Sequence, residues 1–158
     1  MAREIERKFL VDGDGWKDGA EKGVRLRQAY LLGAADRSAR VRIFDDARAR
    51  ITLKFGAGAM SRDEFEYDVP LDDALEMIAY ALGTVIDKTR YRVPAGDFVW
   101  EIDVYHQDLA GLVVAEVELP NEAARPHLPD WLGREVTGDG RYTNQALAET
   151  GIIPEEDG

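Results

Sequence analysis

Cysteine is absent from the chain, which excludes disulfides, thiolate metal sites and a cysteine nucleophile. Histidine is nearly absent. His106 and His127 are the two present, and both fall near predicted turns or loops, so a zinc or histidine acid–base site finds little support. Positive charge is the minority sign: 20 Lys and Arg stand against 31 Asp and Glu, for a formal net charge of -11. That balance repels nucleic acid and anionic membranes, and neither is expected as a partner. No apolar run reaches the length of a membrane span. The charged first ten residues do not read as a signal peptide, so a cytoplasmic protein is expected. The glycine-containing loop Gly56-Ala57-Gly58-Ala59 lacks a following Lys-Ser/Thr and opens no helix, so it is not a phosphate-cradling loop.

What is abundant is alternation. In Glu4-Ile5-Glu6-Arg7-Lys8, read as a strand, Glu4, Glu6 and Lys8 share one face while Ile5, Arg7 and Phe9 share the other. Two carboxylates about 7 Å apart then point the same way as an ammonium. Such a pair suits a hard cation such as Mg²⁺, and the lysine is a point charge suited to phosphate. A solvated charge ladder would look the same, so this triplet decides nothing alone.

The same design recurs along the chain. Strands are expected at 3–11, 24–32, 38–44, 48–55, 62–69, 84–93, 98–105 and 112–119. Arg40 and Arg42 share a face, as do Arg48, Arg50, Thr52 and Lys54. So do Glu64, Glu66 and Asp68; Lys88, Arg90 and Arg92; Glu101, Asp103 and Tyr105; and Glu116 with Glu118. In strand 24–32, alternation does not say which face is buried. The clearest helix is 71–82, with apolar residues at three- and four-residue spacing, Asp72 and Asp73 in its first turn and Gly83 as a stop. A short helix is expected at 16–22 and a last one at 142–149, stopped by Gly151. Pro120, Pro126 and Pro129 break up the segment between. Residues 1–153 read as a single domain, and 154–158 as a frayed tail.

An antiparallel sheet with one wet face has this alternation too. Two features point instead to a closed structure. Acids dominate the first, fifth, seventh and eighth strands, and bases the third, fourth and sixth, whereas a solvent face mixes signs. Helices are also available to cover the apolar faces from outside. About eight strands can close into a barrel, so the fold class expected is α+β, an eight-stranded antiparallel β-barrel with helices packed outside and charge in its lumen. Burying unpaired charge costs several kcal/mol. A metal-bound polyphosphate would satisfy both signs at once.

Beyond Glu4-x-Glu6-x-Lys8, the series Arg40-Val41-Arg42, Thr52-Leu53-Lys54, Arg62-Asp63-Glu64-Phe65-Glu66, Asp87-Lys88-Thr89-Arg90, Trp100-Glu101-Ile102-Asp103 and Ala115-Glu116-Val117-Glu118 resembles the CYTH superfamily, the triphosphate tunnel metalloenzymes. Gly133-Arg134-Glu135-Val136-Thr137 and Arg141-Tyr142-x-Asn144 resemble its short bacterial members. The resemblance implies a tunnel open through its middle and hydrolysis of a triphosphate with Mg²⁺ or Mn²⁺. It implies metal binding by Glu4, Glu6, Glu116 and Glu118, assisted by Glu66 or Asp103. It implies triphosphate binding by Lys8, Arg40, Arg42, Lys54, Lys88 and Arg90, with Lys8, Lys88 and Arg90 also stabilising charge during catalysis. Arg48, Arg50 and Arg92 stay unassigned.

Inorganic tripolyphosphate is the simplest substrate, since it needs nothing beyond charge. Thiamine triphosphate would need an aromatic clamp, for which Trp16, Trp100 and Tyr30 are candidates. A class IV adenylate cyclase would need an adenine pocket. The reading from another class is a non-catalytic nucleotide or polyphosphate binder, which could dispense with metal ligands. The helix at 71–82 either covers the barrel or serves a homodimer contact, and its ordinary amphipathic pattern favours covering.

Overall fold

A computed structural model describes residues 2–56 and 61–156. Residues 57–59 of the loop expected at 56–59, and Asp157 and Gly158 of the expected tail, lie outside the described residues. The strands are β1 (Ala2–Val11), β2 (Val24–Ala34), β3 (Arg37–Phe44), β4 (Arg48–Phe55), β5 (Ser61–Val69), β6 (Ile86–Ala95), β7 (Phe98–Tyr105), β8 (Val113–Glu118) and β9 (Leu132–Glu135). The helices are α1 (Leu71–Met77) and α2 (Asn144–Thr150). No described helix is long and apolar enough to cross a membrane.

Eight strands close into a ring in the order β1-β5-β4-β3-β2-β6-β7-β8, returning to β1, and all pairings are antiparallel. Hairpins join β2 through β5, with Asp45 and Asp46 both at positive φ in the β3–β4 turn, the conformation a tight hairpin of this twist needs. The closure pairs are not consecutive in sequence. One edge of β1 runs along β8 over Glu6–Leu10, and Ala2–Ile5 pair with β5. Past that point β9, unforeseen in the sequence, takes over beside Phe9 and Val11. It is four residues long and contains Gly133, too short for its alternation to be read. Arg7 fastens it by donating to both oxygens of Glu135, at 2.9 and 2.7 Å.

Because side chains alternate, each strand gives one face to the lumen. The outward faces of β2, β3 and β4 bury Ala29, Val41, Ile43 and Ala49 beneath α1. The outward faces of β1, β6, β7 and β8 bury Ile5, Phe9, Val93, Trp100, Ile102, Ala115 and Val117 beneath Trp16 and Trp131. Trp16 sits in a 3-10 turn at Gly15–Gly19, where a short helix was expected.

The third cluster lies inside the ring. Leu10, Tyr30, Ile86, Tyr105 and Val114 come from inward positions and pack against Tyr142, Leu147 and Ala148 of the C-terminal segment. Thr143 caps α2 through its side-chain oxygen, and Gly151 ends the helix at φ +64. The ring is the expected tunnel, and α2 plugs one end of it, because that end of the lumen is apolar. The same plug shortens α1. Its last turn tightens to 3-10 at Ile78–Tyr80, and the chain leaves the expected helical path because the Leu82 N–H donates to Tyr30 O and the Thr84 N–H to Ala148 O. Between them Gly83 has φ +71, and a Cβ there would lie 2.2 Å from Ala148 O.

Candidate active site

The open part of the lumen is a chamber of about 740 Å³. Its wall carries acidic and basic side chains in equal number, although the chain as a whole is acidic. Ring order sorts them. The acid-rich strands β7, β8, β1 and β5 are neighbours, and the base-bearing strands β4, β3 and β6 fill the rest of the ring, with β2, whose inward face is uncharged, between β3 and β6. The chamber is thus an acidic half-cylinder facing a basic one.

Where the halves meet, charges pair. At the β4–β5 seam Arg50 lies 2.7 Å from Glu66, and Lys54 lies 2.9 Å from Glu4 and 3.5 Å from Glu64. At the β6–β7 seam the Arg90 fork grips both oxygens of Asp103, at 2.7 and 2.9 Å. Away from the seams, like meets like at two register positions of the acidic half, although Lys8 and Arg62 also enter it. Glu6 stands directly opposite Glu118 in the β1–β8 register, and Glu101 opposite Glu116 between β7 and β8, placements that repel. In the middle of the basic half, Arg40 and Arg42 are 6% and 8% exposed. Arg40 donates to Thr52 Oγ1 at 3.2 Å and Arg42 to Gln28 Oε1 at 2.7 Å. Among the described residues neither has a carboxylate in ion-pair range.

The electrostatics follow this plan. Burial, then Glu116 and Glu4, push the Glu6 carboxyl well above its ordinary value. Burial and the neighbouring glutamates also raise Glu118, and burial with Glu66 and Glu4 raises Glu64 to about 8. Burial would raise Glu4 as well, but Lys54 outweighs it and holds the group at about 2. On the basic side, burial and then Arg40 and Arg90 push Arg42 down to about 9. Lys8 lies 3.2 Å from Glu116, which, with Glu6, outweighs burial and raises the lysine.

The structure brings Glu4, Glu6, Lys8, Arg40, Arg42, Lys54, Glu66, Arg90, Glu116 and Glu118 to the chamber wall. It does not bring Lys88 or Asp103 there. Lys88 is 0% and Asp103 2% exposed, 2.6 Å apart and behind the wall. Asp103, expected to assist a metal, instead has both oxygens engaged by Arg90 and Lys88, which leaves it poorly placed as a ligand. Burial, with Arg90 and Arg42 nearby, pushes Lys88 down toward about 7 against the pull of Asp103. Arg50 and Arg92 do face the chamber, whereas Arg48 lies outside, 4.2 Å above the Phe44 ring.

Arg62, Glu64 and Glu101 also line the chamber; alternation groups Glu64 with Glu66 and Glu101 with Asp103, but no site role was assigned to any of the three from the sequence. Thr143, Asn144, Gln145 and Glu149 of the plug reach it too, and no local pattern could have said so.

The donor set fits a hard cation. It is all carboxylate, and Glu6 and Glu118 share a register position where both cannot be charged cheaply without something positive between them. Among the described residues no three such groups converge on one point: Glu4 leans to Lys54, Glu116 to Lys8, and Glu6 to Arg62 at 3.4 Å.

A closed antiparallel ring whose interior holds its charge, with one end plugged, is a β-tunnel protein shaped for a small polyanion with its cation. The family model described as CYTH domain matches residues 2–146, and the chain belongs to that family. A relative from Acetivibrio thermocellus, named inorganic triphosphatase, is 45% identical over 150 residues, 94% of this chain and 95% of its own. A second of that name, from Nitrosomonas europaea, is 37% identical over 149 residues, 92% of this chain and 96% of its own. A crystal structure of an inorganic triphosphatase superposes with a TM-score of 0.65 at 35% identity, covering 98% of this chain and 99% of that one.

Proposed function

We propose that this chain is a divalent-metal-dependent triphosphatase that hydrolyses inorganic tripolyphosphate to pyrophosphate and phosphate. The observation that carries the proposal is the buried pair Arg40 and Arg42, which among the described residues have neutral partners and no carboxylate in ion-pair range, facing into a chamber whose opposite wall holds Glu6 against Glu118. Desolvated guanidinium groups without counter-ions call for an anion from outside, and their planar forks match phosphate oxygens. The two relatives named inorganic triphosphatase support the same reading.

In this proposal Arg40, Arg42, Lys54, Lys8 and Arg90 hold the phosphate chain. Lys8 and Arg90 stabilise charge developing on the transferred group and the leaving oxygen. Lys88 acts from behind the wall: it sustains positive potential there and holds Asp103, which in turn aims Arg90. Mg²⁺ or Mn²⁺, held by Glu4, Glu6, Glu116 and Glu118 with help from Glu66, would supply Lewis acidity to the phosphate oxygens and to the attacking water. No covalent intermediate is required, since among the described residues no chamber hydroxyl is hydrogen-bonded to a chamber carboxylate that could activate it.

Three observations favour the inorganic chain over an organic triphosphate. Trp16 and Trp100 are buried in the outward-facing core, so neither can clamp thiamine. Tyr30 lines the chamber but is 7% exposed and packed against the plug, so little of its ring is free to stack on a base. Phe44 at the chamber wall already carries the guanidinium groups of Arg42, Arg48 and Arg50 within 5.9, 4.2 and 5.7 Å of its ring. The opposed carboxylates argue against a mere binder, which would gain from losing them. We place the enzyme in the cytoplasm, in keeping with its lack of cysteine.

The test is phosphate release from tripolyphosphate, pyrophosphate, ATP and thiamine triphosphate, with and without Mg²⁺ or Mn²⁺. Rapid, cation-dependent cleavage of tripolyphosphate is expected. Preference for thiamine triphosphate or ATP would overturn the substrate assignment, and no cleavage of any of them would leave a binding protein.

A further inference from the structure

Asn144 is the first residue of α2, at the floor of the chamber. Thr143 before it fixes the backbone by accepting from the Ala146 N–H at 3.1 Å. The Asn144 carboxamide oxygen accepts from the Tyr105 hydroxyl at 2.6 Å and from Lys88 Nζ at 3.3 Å. An ammonium can only donate, so the carboxamide has one workable orientation. Its oxygen faces Lys88 and its nitrogen faces away. Asn144 is half-buried and lines the chamber, and among the described residues its amide nitrogen meets no acceptor.

We propose that Asn144 is a substrate-contacting residue, its Nδ2 donating to a phosphoryl oxygen at the closed end of the chamber. The proposal rests on the triphosphate reading above. It gives the plug a part in recognition beyond filling an apolar end. A neutral donor suits this position. Lys88 is within hydrogen-bond reach, and Arg42 is already disfavoured by its cationic neighbours Arg40 and Arg90. Another cation would add repulsion, whereas an amide adds a donor without charge. Lys8 touches the same segment, donating to Tyr142 O at 3.2 Å, so the plug meets lysines of two different strands.

Two substitutions separate contact from packing. Asn144→Asp keeps an oxygen for Tyr105 and Lys88 and remains compatible with a helix start, but it replaces the donor with an anion. Asn144→Ala removes both oxygen and donor. For tripolyphosphate hydrolysis, kcat/KM should fall about 10-fold in N144A, as expected for one lost hydrogen bond to a charged group. It should fall about 100-fold in N144D, where like charge is added to the loss. A packing role predicts the reverse order: N144D close to wild type, and N144A lowered in melting temperature without a selective kinetic defect. Calorimetric binding of tripolyphosphate in EDTA supplies a readout independent of turnover, and Kd should weaken in the same order.

Wild type that binds tripolyphosphate without cleaving it would sink the hydrolytic reading and leave this contact to be judged by Kd. Unchanged kcat/KM and Kd in N144D would overturn the contact itself. Wild type that does not bind tripolyphosphate would overturn both.

Discussion

Replacing Arg42 with methionine should stabilise the ligand-free protein while removing its response to triphosphate. Arg42 is 8% exposed and is held at about 9 by burial and by Arg40 and Arg90. The drop from the ordinary guanidinium value to about 9 disfavours the charged form by about 4–5 kcal/mol. A methionine of similar length escapes this cost. Against it stands Gln28, 0% exposed, whose oxygen would lose the Arg42 hydrogen bond at about 1–3 kcal/mol. The balance is a net gain of about 2 kcal/mol, or about 4–8 °C in Tm for a chain of this size.

Thermal unfolding in EDTA, with and without tripolyphosphate, measures both halves of the prediction. Ligand at 100 times Kd should add about 2.7 kcal/mol to wild type. The variant should gain little, because losing a charge-assisted phosphate contact weakens Kd by about 2–3 kcal/mol. A variant less stable than wild type without ligand, yet equally stabilised by it, would refute the idea that the basic half-cylinder is strained in anticipation of an anion.

Glu6→Gln should abolish cation-dependent turnover while leaving Tm equal or higher, since it removes one of two opposed carboxylates; retained activity, measured by phosphate release, would strike Glu6 from the metal ligands. The raised Glu64 carboxyl makes the folded state bind more protons than the unfolded state between pH of about 4.5 and about 8. Stability of the cation-free protein attributable to it should therefore decline as pH rises through that window, and urea titrations of Glu64→Gln should show a flatter profile. Because Glu64 shares side-chain hydrogen bonds with Glu4 and Glu66, an unaltered slope would mean the proton resides elsewhere in the cluster. Gly83→Ala should destabilise by more than about 1 kcal/mol in urea unfolding, as both the positive φ and the approach of Ala148 O oppose a Cβ; a neutral result would mean the plug is not clamped there.

Much of the chamber was legible because alternation is local. A strand cannot put Glu4, Glu6 and Lys8 on one face without putting Ile5, Arg7 and Phe9 on the other. This property of pleated backbone needs no knowledge of neighbours. It correctly grouped Arg40 with Arg42, and Glu116 with Glu118, and the same-sign bias of each strand hinted at a lumen. Alternation failed for β2, whose inward face carries Leu26, Gln28 and Tyr30, with no charge to mark it. It also failed for β9, which is too short.

The sequence by itself therefore determined which side chains travel together, where hairpins turn, and that many charges would share a surface. Tertiary structure alone decided three further things. Pairings between distant strands, β2 with β6 and β1 with β5 and β8, gathered the acid strands on one side and, across the uncharged inward face of β2, the base strands on the other, creating the two opposed halves. The apolar inward ends of five strands admitted α2, which plugs that end of the tunnel. Lys88 and Asp103, in register with the wall residues by periodicity, sank behind them, because Arg90 and the plug close over that stretch. A periodic pattern specifies a face; which faces meet, and how deeply, depends on contacts between residues far apart in the chain.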